Sequence, residues 1–218
     1  MKLNFHGTFE AHITVKAENL AVQEEFQSLC QNLDIKCILI KLPSGVNPSQ
    51  LMTSSYHHGN FENVLQKVNA IAQKITDAGF EVTRIKVEAM VSNQDVPISD
   101  MEAQKLPSSN YFEFHVKAIL SGDENIEMNL QTLRWYCLQH NAHLSANAFK
   151  QELDGNQQRF ITMRLYGVGY QAAQIRFDNL LLVLKDRGFK LSQQQREYTV
   201  YDSNLNLDTG WLNTDIEG

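Results

Sequence analysis

Seven histidines lie along the 218-residue chain, and two of them stand in matching surroundings: Phe9-Glu10-Ala11-His12-Ile13 and Phe112-Glu113-Phe114-His115-Val116. An imidazole titrates near neutrality, so a pair of them can give and take protons at physiological pH. If both segments are strands, alternation puts Glu10, Thr14 and Lys16 beside His12, and Glu113 and Lys117 beside His115. Further on, Arg84, Lys86 and Glu88 share one register, His143, Ser145 and Asn147 a second, and Thr162, Arg164 and Tyr166 a third. Cations and hydroxyls in such rows hold anionic groups, while imidazoles and carboxylates move protons or bind metals. The adjacent His57-His58 cannot both face one side of a regular strand.

The elements that must carry these residues repeat. Tyr56-His57-His58-Gly59 is echoed by Tyr166-Gly167-Val168-Gly169, and Ala78-Gly79-Phe80-Glu81-Val82 by Arg187-Gly188-Phe189-Lys190-Leu191. Together with the two histidine segments these echoes keep one order and a nearly constant spacing, which reads as a duplication. Strands are predicted at 9–17 and 110–120, then at 35–41, 51–58, 142–149 and 158–166, with closing strands at 80–91 and 189–201. Between them run amphipathic helices marked by Leu20, Phe26, Leu29 and Leu33, by Val64, Val68, Ile71 and Ile75, by Met128, Leu130, Leu133, Tyr136 and Cys137, and by Ile175, Leu180, Leu181 and Leu184. The second helix of each copy stops at a glycine.

The order β-α-β-β-α-β, twice, predicts an α+β protein. Its expected architecture is a tandem duplication of a ferredoxin-like unit, with antiparallel sheets and helices on one face. The expected units are 1–91 and 110–203, joined by a polar linker at 92–109 that contains Pro97 and Pro107, with an irregular tail at 204–218 in which Trp211 docks. First and last strands of each unit should be neighbours, bringing Lys86 and Glu88 beside His12 and Glu10. The uncovered polar faces are then expected to share a ligand cleft.

Composition narrows the function classes. Lys+Arg 19 against Asp+Glu 25 leaves a formal charge of −6, which argues against general nucleic-acid binding and against an anionic membrane surface. No apolar run approaches the roughly 18 residues of a membrane span, and MKLNFHGTFE lacks the apolar core of a signal peptide. Cys30, Cys37 and Cys137 form no CxxC pair and suit reduced thiols in the core of a cytoplasmic protein. Oligomeric state is not legible.

His12-Ile13-Thr14-Val15, on a strand that leads into a helix, resembles the H-x-T signature of the two-histidine phosphoesterases. The resemblance implies two related lobes, each giving one such strand to a central cleft. It also implies a metal-independent hydrolase in which one imidazole is the general base and the other the general acid. Carried onto this chain, His12 and His115 are the acid/base pair and Thr14 holds a phosphoryl oxygen. Lys117 stands where the pattern has its second hydroxyl and would replace it as a point charge. Arg84, Lys86, Glu88, His143, Asn147, Arg164 and Tyr166 would bind the rest of a small anionic ligand, a cyclic phosphodiester or nucleotide, with no cofactor. As a set, HITV, MTSSYH, YFEFHVK and the YDSN…LDTGW ending are also similar to bacterial proteins described only as hypothetical, a likeness that implies no activity.

Two other readings compete. His12, Glu88, His115 and Glu197 resemble the His/Glu pattern of vicinal-oxygen-chelate enzymes such as glyoxalases, which implies a metal-dependent enzyme using Zn²⁺, Ni²⁺ or Fe²⁺. Alternatively, the cleft cations bind an anionic small molecule without reacting. Gly167-Val168-Gly169 before a helix could then supply free N–H groups to an anion.

Overall fold

Strands form where apolar and polar residues alternate, and the alternation sorts the molecule into an inside and an outside. The computed structural model describes residues 4–17, 19–122, 125–149 and 156–212. In chain order the elements are β1 (His6–Val15), α1 (Leu20–Asn32), β2 (Lys36–Lys41), β3 (Ser49–Asn60), α2 (Phe61–Asp77), β4 (Val82–Met90), α3 (Asp100–Ala103), β5 (Tyr111–Leu120), α4 (Ile126–Gln139), β6 (Ala142–Asn147), β7 (Gln157–Tyr166), α5 (Tyr170–Asp186) and β8 (Lys190–Asp202). A short 3-10 helix, Leu205–Asp208, follows. The result is a mixed α+β protein whose eight strands form a single antiparallel sheet. No helix among the described residues is long and apolar enough to cross a membrane.

That sheet is a closed barrel in the order β1-β3-β2-β6-β7-β5-β8-β4. The first-half strands lie in the order β4-β1-β3-β2 and the second-half strands in the order β8-β5-β7-β6. Neither half keeps a free edge. β4 pairs with β8 from Lys86↔Asp202 to Met90↔Glu197, and β2 meets β6 through only Ile40↔Asn147 and Lys41↔Ala146. The polar faces of the halves thereby turn toward each other inside one barrel.

Helices cover the outer wall. On β1, Phe9, Ala11, Ile13 and Val15 are buried beneath them, as are Phe112, Phe114, Val116 and Ala118 on β5. The facing stripes are Phe26 and Cys30 on α1, Val64, Val68, Ala72 and Ile75 on α2, Leu133 and Cys137 on α4, and Ala173, Phe177, Leu180 and Leu184 on α5. Burying each large side chain contributes about 1.5–3 kcal/mol. Leu20, Met128 and Ile175, expected on these stripes, are exposed instead. Their spacing from the buried residues places them on the far side of a 3.6-residue turn.

The linker is more structured than its composition predicts. Ser99 and Glu102 form a reciprocal capping box on α3. The backbone before α3 then runs against the start of α5, where Tyr170 N donates to Pro97 O and Gln171 N to Ile98 O, at 2.9 and 3.1 Å. Gly169 N donates to the Asp100 carboxylate at 2.7 Å. The N–H group of Gly169, one of the three expected to await an anion, and the first two of α5 are therefore occupied by the chain itself. Gly169 is required by this approach, since a Cβ there would lie 2.3 Å from the Ser99 carbonyl carbon.

The tail closes one end of the barrel. Val46 N donates to Thr209 O at 3.0 Å, Ser44 Oγ to Gly210 O at 3.1 Å, and Trp211 Nε1 to Leu144 O at 3.1 Å. Trp211 is 5% exposed, so the expected docking is into the barrel end. Residues 213–218 of the expected tail lie outside the described residues.

Candidate functional site

The barrel encloses a cavity of about 310 Å³. Its floor is the tail, with Asp208 and Trp211 beside Arg84, Arg164 and Gln50; exposed Lys36, Tyr56 and Gln193 mark its mouth. One wall is ionic and comes from β1, β4, β5 and β8. The opposite wall, from β2, β3 and β7, carries Ile38, Ile40, Met52 and Phe160. Inward-facing alternation delivers Glu10, His12 and Thr14 from β1 and Glu113, His115 and Lys117 from β5, the two rows the sequence places on polar faces.

His12 sits with Nδ1 3.0 Å from the Thr53 carbonyl, so that nitrogen carries a proton and donates it. Its Nε2 lies 3.4 Å from Glu88 and 3.6 Å from Glu10. Burial opposes the charge on His12, but Glu88 and Glu10 outweigh it and raise its pKa above the usual value. His115 places Nδ1 2.9 Å from Thr162 Oγ1 and Nε2 3.0 Å from Glu113. Between the two histidines, the Lys86 ammonium lies 2.9 Å from Glu88 and 2.8 Å from Glu113. The ordered series His12–Glu88–Lys86–Glu113–His115 thus joins the two halves across the cavity wall. Glu88 Oε2 meets no described donor at a hydrogen-bonding angle despite its 2.9 Å separation from Lys86, so that contact is charge–charge. Thr199 Oγ1 donates to the other Glu88 oxygen at 3.1 Å.

The carboxylates divide into two kinds. Burial works to raise the pKa of Glu10, Glu88 and Glu113, yet nearby cations and donors lower all three. His12, Ser54 and Tyr56 act on Glu10, Lys86 and His12 on Glu88, and Arg164, Lys86 and His115 on Glu113. Glu197 goes the other way. Burial, then the charges of Glu88 and Glu10, raise its pKa well above the usual carboxylate value, which favours its neutral form. Gln195 Nε2 donates to Glu197 at 2.9 Å and also to Glu10. Lys86 faces His12 across the β1–β4 pair, and Gln195 faces His115 across the β5–β8 pair. Lys86 and His12 thus bring Glu88 below its usual value, whereas burial and the charges of Glu88 and Glu10 raise Glu197 against the opposing effects of Lys86 and the Gln195 hydrogen bond.

Arg84 and Arg164 hold the floor. Arg84 grips Asp202 with Nε at 2.9 Å and with Nη2, and reaches Asp208 at 2.9 Å. Arg164 pairs with Glu113 and lies 2.8 Å from Asp208, its guanidinium 4.8 Å from the centre of the Tyr111 ring. Burial opposes each charge, but these acids raise both pKa values, and the two arginines lower that of Asp208.

Among the sequence-predicted residues, His12, Thr14, Arg84, Lys86, His115, Lys117, Asn147, Arg164 and Glu197 line the cavity, and Glu88 lies fully buried in its wall. Two do not reach it. His143 faces the same way as Asn147 but lies behind Trp211, ring centroids 6.0 Å apart, and lines a smaller hollow with Arg134 and Leu138. Tyr166 is half exposed outside the floor, packed on Tyr111 at 4.8 Å. His57 and His58 bond to Ser55 and Thr8 instead. For the alternative metal set, Lys86 already supplies the cation beside Glu88, and no group of three or more His, Cys, Asp or Glu among the described residues could hold a metal ion.

Sequence reasoning did not assign site roles to Glu10, Glu113, Ser54, Tyr56, Gln195, Asp208 or Trp211. Glu10, Glu113 and Gln195 were within reach, since each stands two positions from an inward-facing site residue. Asp208 gave no signal, because its place depends on where an irregular tail docks. A scan against protein-family models and a search of curated proteins find no match to this chain.

Proposed function

We propose that the barrel is a metal-independent phosphodiesterase-type hydrolase of the cytoplasm, built by duplication of a ferredoxin-like unit, with His12 and His115 as its acid/base pair. The observation that carries this reading is that the two imidazoles line one cavity, each held at Nδ1 and each presenting Nε2 to a carboxylate. The shared element order and the matching strand orders of the two halves support the duplication.

In this mechanism His12 is the acid, because Glu88 and Glu10 favour its cation and raise its pKa. A water oxygen attacks phosphorus while His115, its Nε2–H held by the Glu113 carboxylate, takes the water proton at Nδ1 in place of the Thr162 hydroxyl bond. The bond from phosphorus to the leaving oxygen breaks, and the His12 proton passes to that oxygen. The products are a phosphomonoester and an alcohol. Thr14 and Lys117, equivalent positions in the two halves, contact the phosphoryl oxygens. A singly charged diester suits this site better than a dianionic monoester, since ionised Glu10, Glu88 and Glu113 stand in its wall.

The test is turnover of 2′,3′-cyclic nucleotides, with and without chelator, by wild type, His12→Ala and His115→Ala. Each variant is expected to lose about 10²–10⁴-fold in kcat, with wild-type turnover resistant to chelator. Absent wild-type turnover, or full activity in either variant, would remove this reading.

A further inference from the structure

The inner face of β2 reads Lys36, Ile38, Ile40, a cation at the mouth followed by apolar side chains going inward. Met52 on β3 and Phe160 on β7 continue the apolar surface. These residues do not belong to the hydrophobic core, which lies between the outer wall of the barrel and the helices. Ile38, Ile40 and Phe160 remain partly exposed, and what they face across the cavity is the ionic wall of His12, Lys86 and His115. Apolar surface left facing a solvent-filled cavity forgoes about 25 cal/mol for each Å². A barrel that needed only to fold would fill this space with side chains from both walls.

Lys117 supplies the second half of the argument. Its ammonium lies 5.2 Å from the centre of the Phe160 ring, where the apolar wall meets the ionic one. Its Nζ donates to Gln193 Oε1, and Gln193 holds φ +48 where β8 shifts register against β5. The bulge turns the Gln193 side chain toward the lysine at the mouth.

We propose that the cavity binds an amphipathic small molecule, with a flat apolar ring against Ile38, Ile40, Met52 and Phe160 and a single negative charge at the Lys117 and Lys36 end. This ligand class stands independently of phosphodiester hydrolysis and would hold for a non-catalytic binder as well.

The probe is 1-anilinonaphthalene-8-sulfonate, an aromatic monoanion, titrated by fluorescence into the folded full-length chain. One saturable site is expected. Ile40→Asn and Phe160→Gln, on different strands, should each weaken it by about tenfold, while Ile40→Val should stay within about threefold. Near-ultraviolet circular dichroism establishes that each variant tested is folded, and either one suffices. The proposal is overturned if no saturable site exists, if folded Ile40→Asn or Phe160→Gln binds as wild type does, or if methanesulfonate, which carries the charge without the ring, competes as well as the aromatic probe. Probe binding without turnover of cyclic nucleotides would leave this ligand class standing and remove only the hydrolase reading.

Discussion

Glu88 and Glu197 show how neighbours drive two buried carboxyls apart. Burial raises the pKa of each, but Lys86 and His12 bring Glu88 below its usual value, whereas the charges of Glu88 and Glu10 push Glu197 further up, against the opposing effects of Lys86 and the Gln195 hydrogen bond. Holding two buried carboxyls apart in this way separates a proton donor from an acceptor within one cavity. Linkage gives the sign of the effect on stability. The unfolded chain releases the Glu197 proton near its ordinary value of 4.5, while the folded protein retains it to well above that. Glu197 therefore makes stability fall as pH rises from about 4.5 toward the folded value. The raised His12 pKa acts in the same direction, its contribution being complete below about 6.5 and lost as pH climbs through the folded value. Glu10, Glu88, Glu113 and Asp208, with lowered pKa values, contribute stability that is lost as pH falls below the usual carboxylate range. Glu197→Gln fixes the neutral form. It is expected to match wild type near pH 4 and to exceed it by about 1 kcal/mol near pH 8, roughly 2–4 °C in Tm. Parallel Tm curves for the two proteins across that range would show that Glu197 ionises normally.

At the scale of elements, the period of the sequence was a sufficient guide to what forms but not to where it goes. Apolar residues at every second position on β1 and β5 belong to a wall buried on one side, and that rule placed His12 and His115 on the inner face. It carried no information on depth along the barrel, so His143 and Tyr166 were grouped with the cavity, whereas they line a separate hollow beside Arg164 and Asp208. Helical stripes were legible through Val68 and Leu184, whereas Leu20, Met128 and Ile175 were apolar without being inward. The polar composition of 92–109 marked a linker but not its path, and its backbone packs against the N-terminus of α5. That junction can be tested with one methyl group. Gly169 has φ −84, an ordinary value for any residue, so Gly169→Ala acts through space alone. The added Cβ would meet Ile98 O at 2.5 Å, and backbone must move to admit it. A loss of about 1–3 kcal/mol is expected, with faster hydrogen exchange at Tyr170 and Gln171. An unchanged Tm would mean that the linker does not press on this helix.

For the molecule as a whole, two seams close the barrel, and they are unequal. β4 and β8 share a longer ladder, but β2 and β6 are joined by two residue pairs and by Ala148 N donating to Leu39 O at 2.8 Å. So short a seam in an eight-stranded barrel should be its first place to open. The tail lies across it. Residues 207–210 bond to the β2–β3 connection through Ser44, Val46 and Asn47, and Trp211 bonds to β6 through Leu144 O. Asp208, anchored by Gln50 at 2.7 Å and by both floor arginines, keeps the segment seated. The tail thus acts as a clasp as well as a floor; that Trp211 docks was legible in the sequence, but where it docks was not, because that depends on contacts between distant parts of the chain. Trp211→Ala removes the clasp's largest buried side chain and, with it, the ring that lies 5.9 Å from the Arg164 guanidinium, while every charged residue stays in place. Its expected cost is about 3–5 kcal/mol, and amides of β2 and β6 should exchange much faster than those of β4 and β8. Exchange that rises equally in all eight strands would mean that the barrel opens as a unit, and that the tail fills a hole without holding a seam.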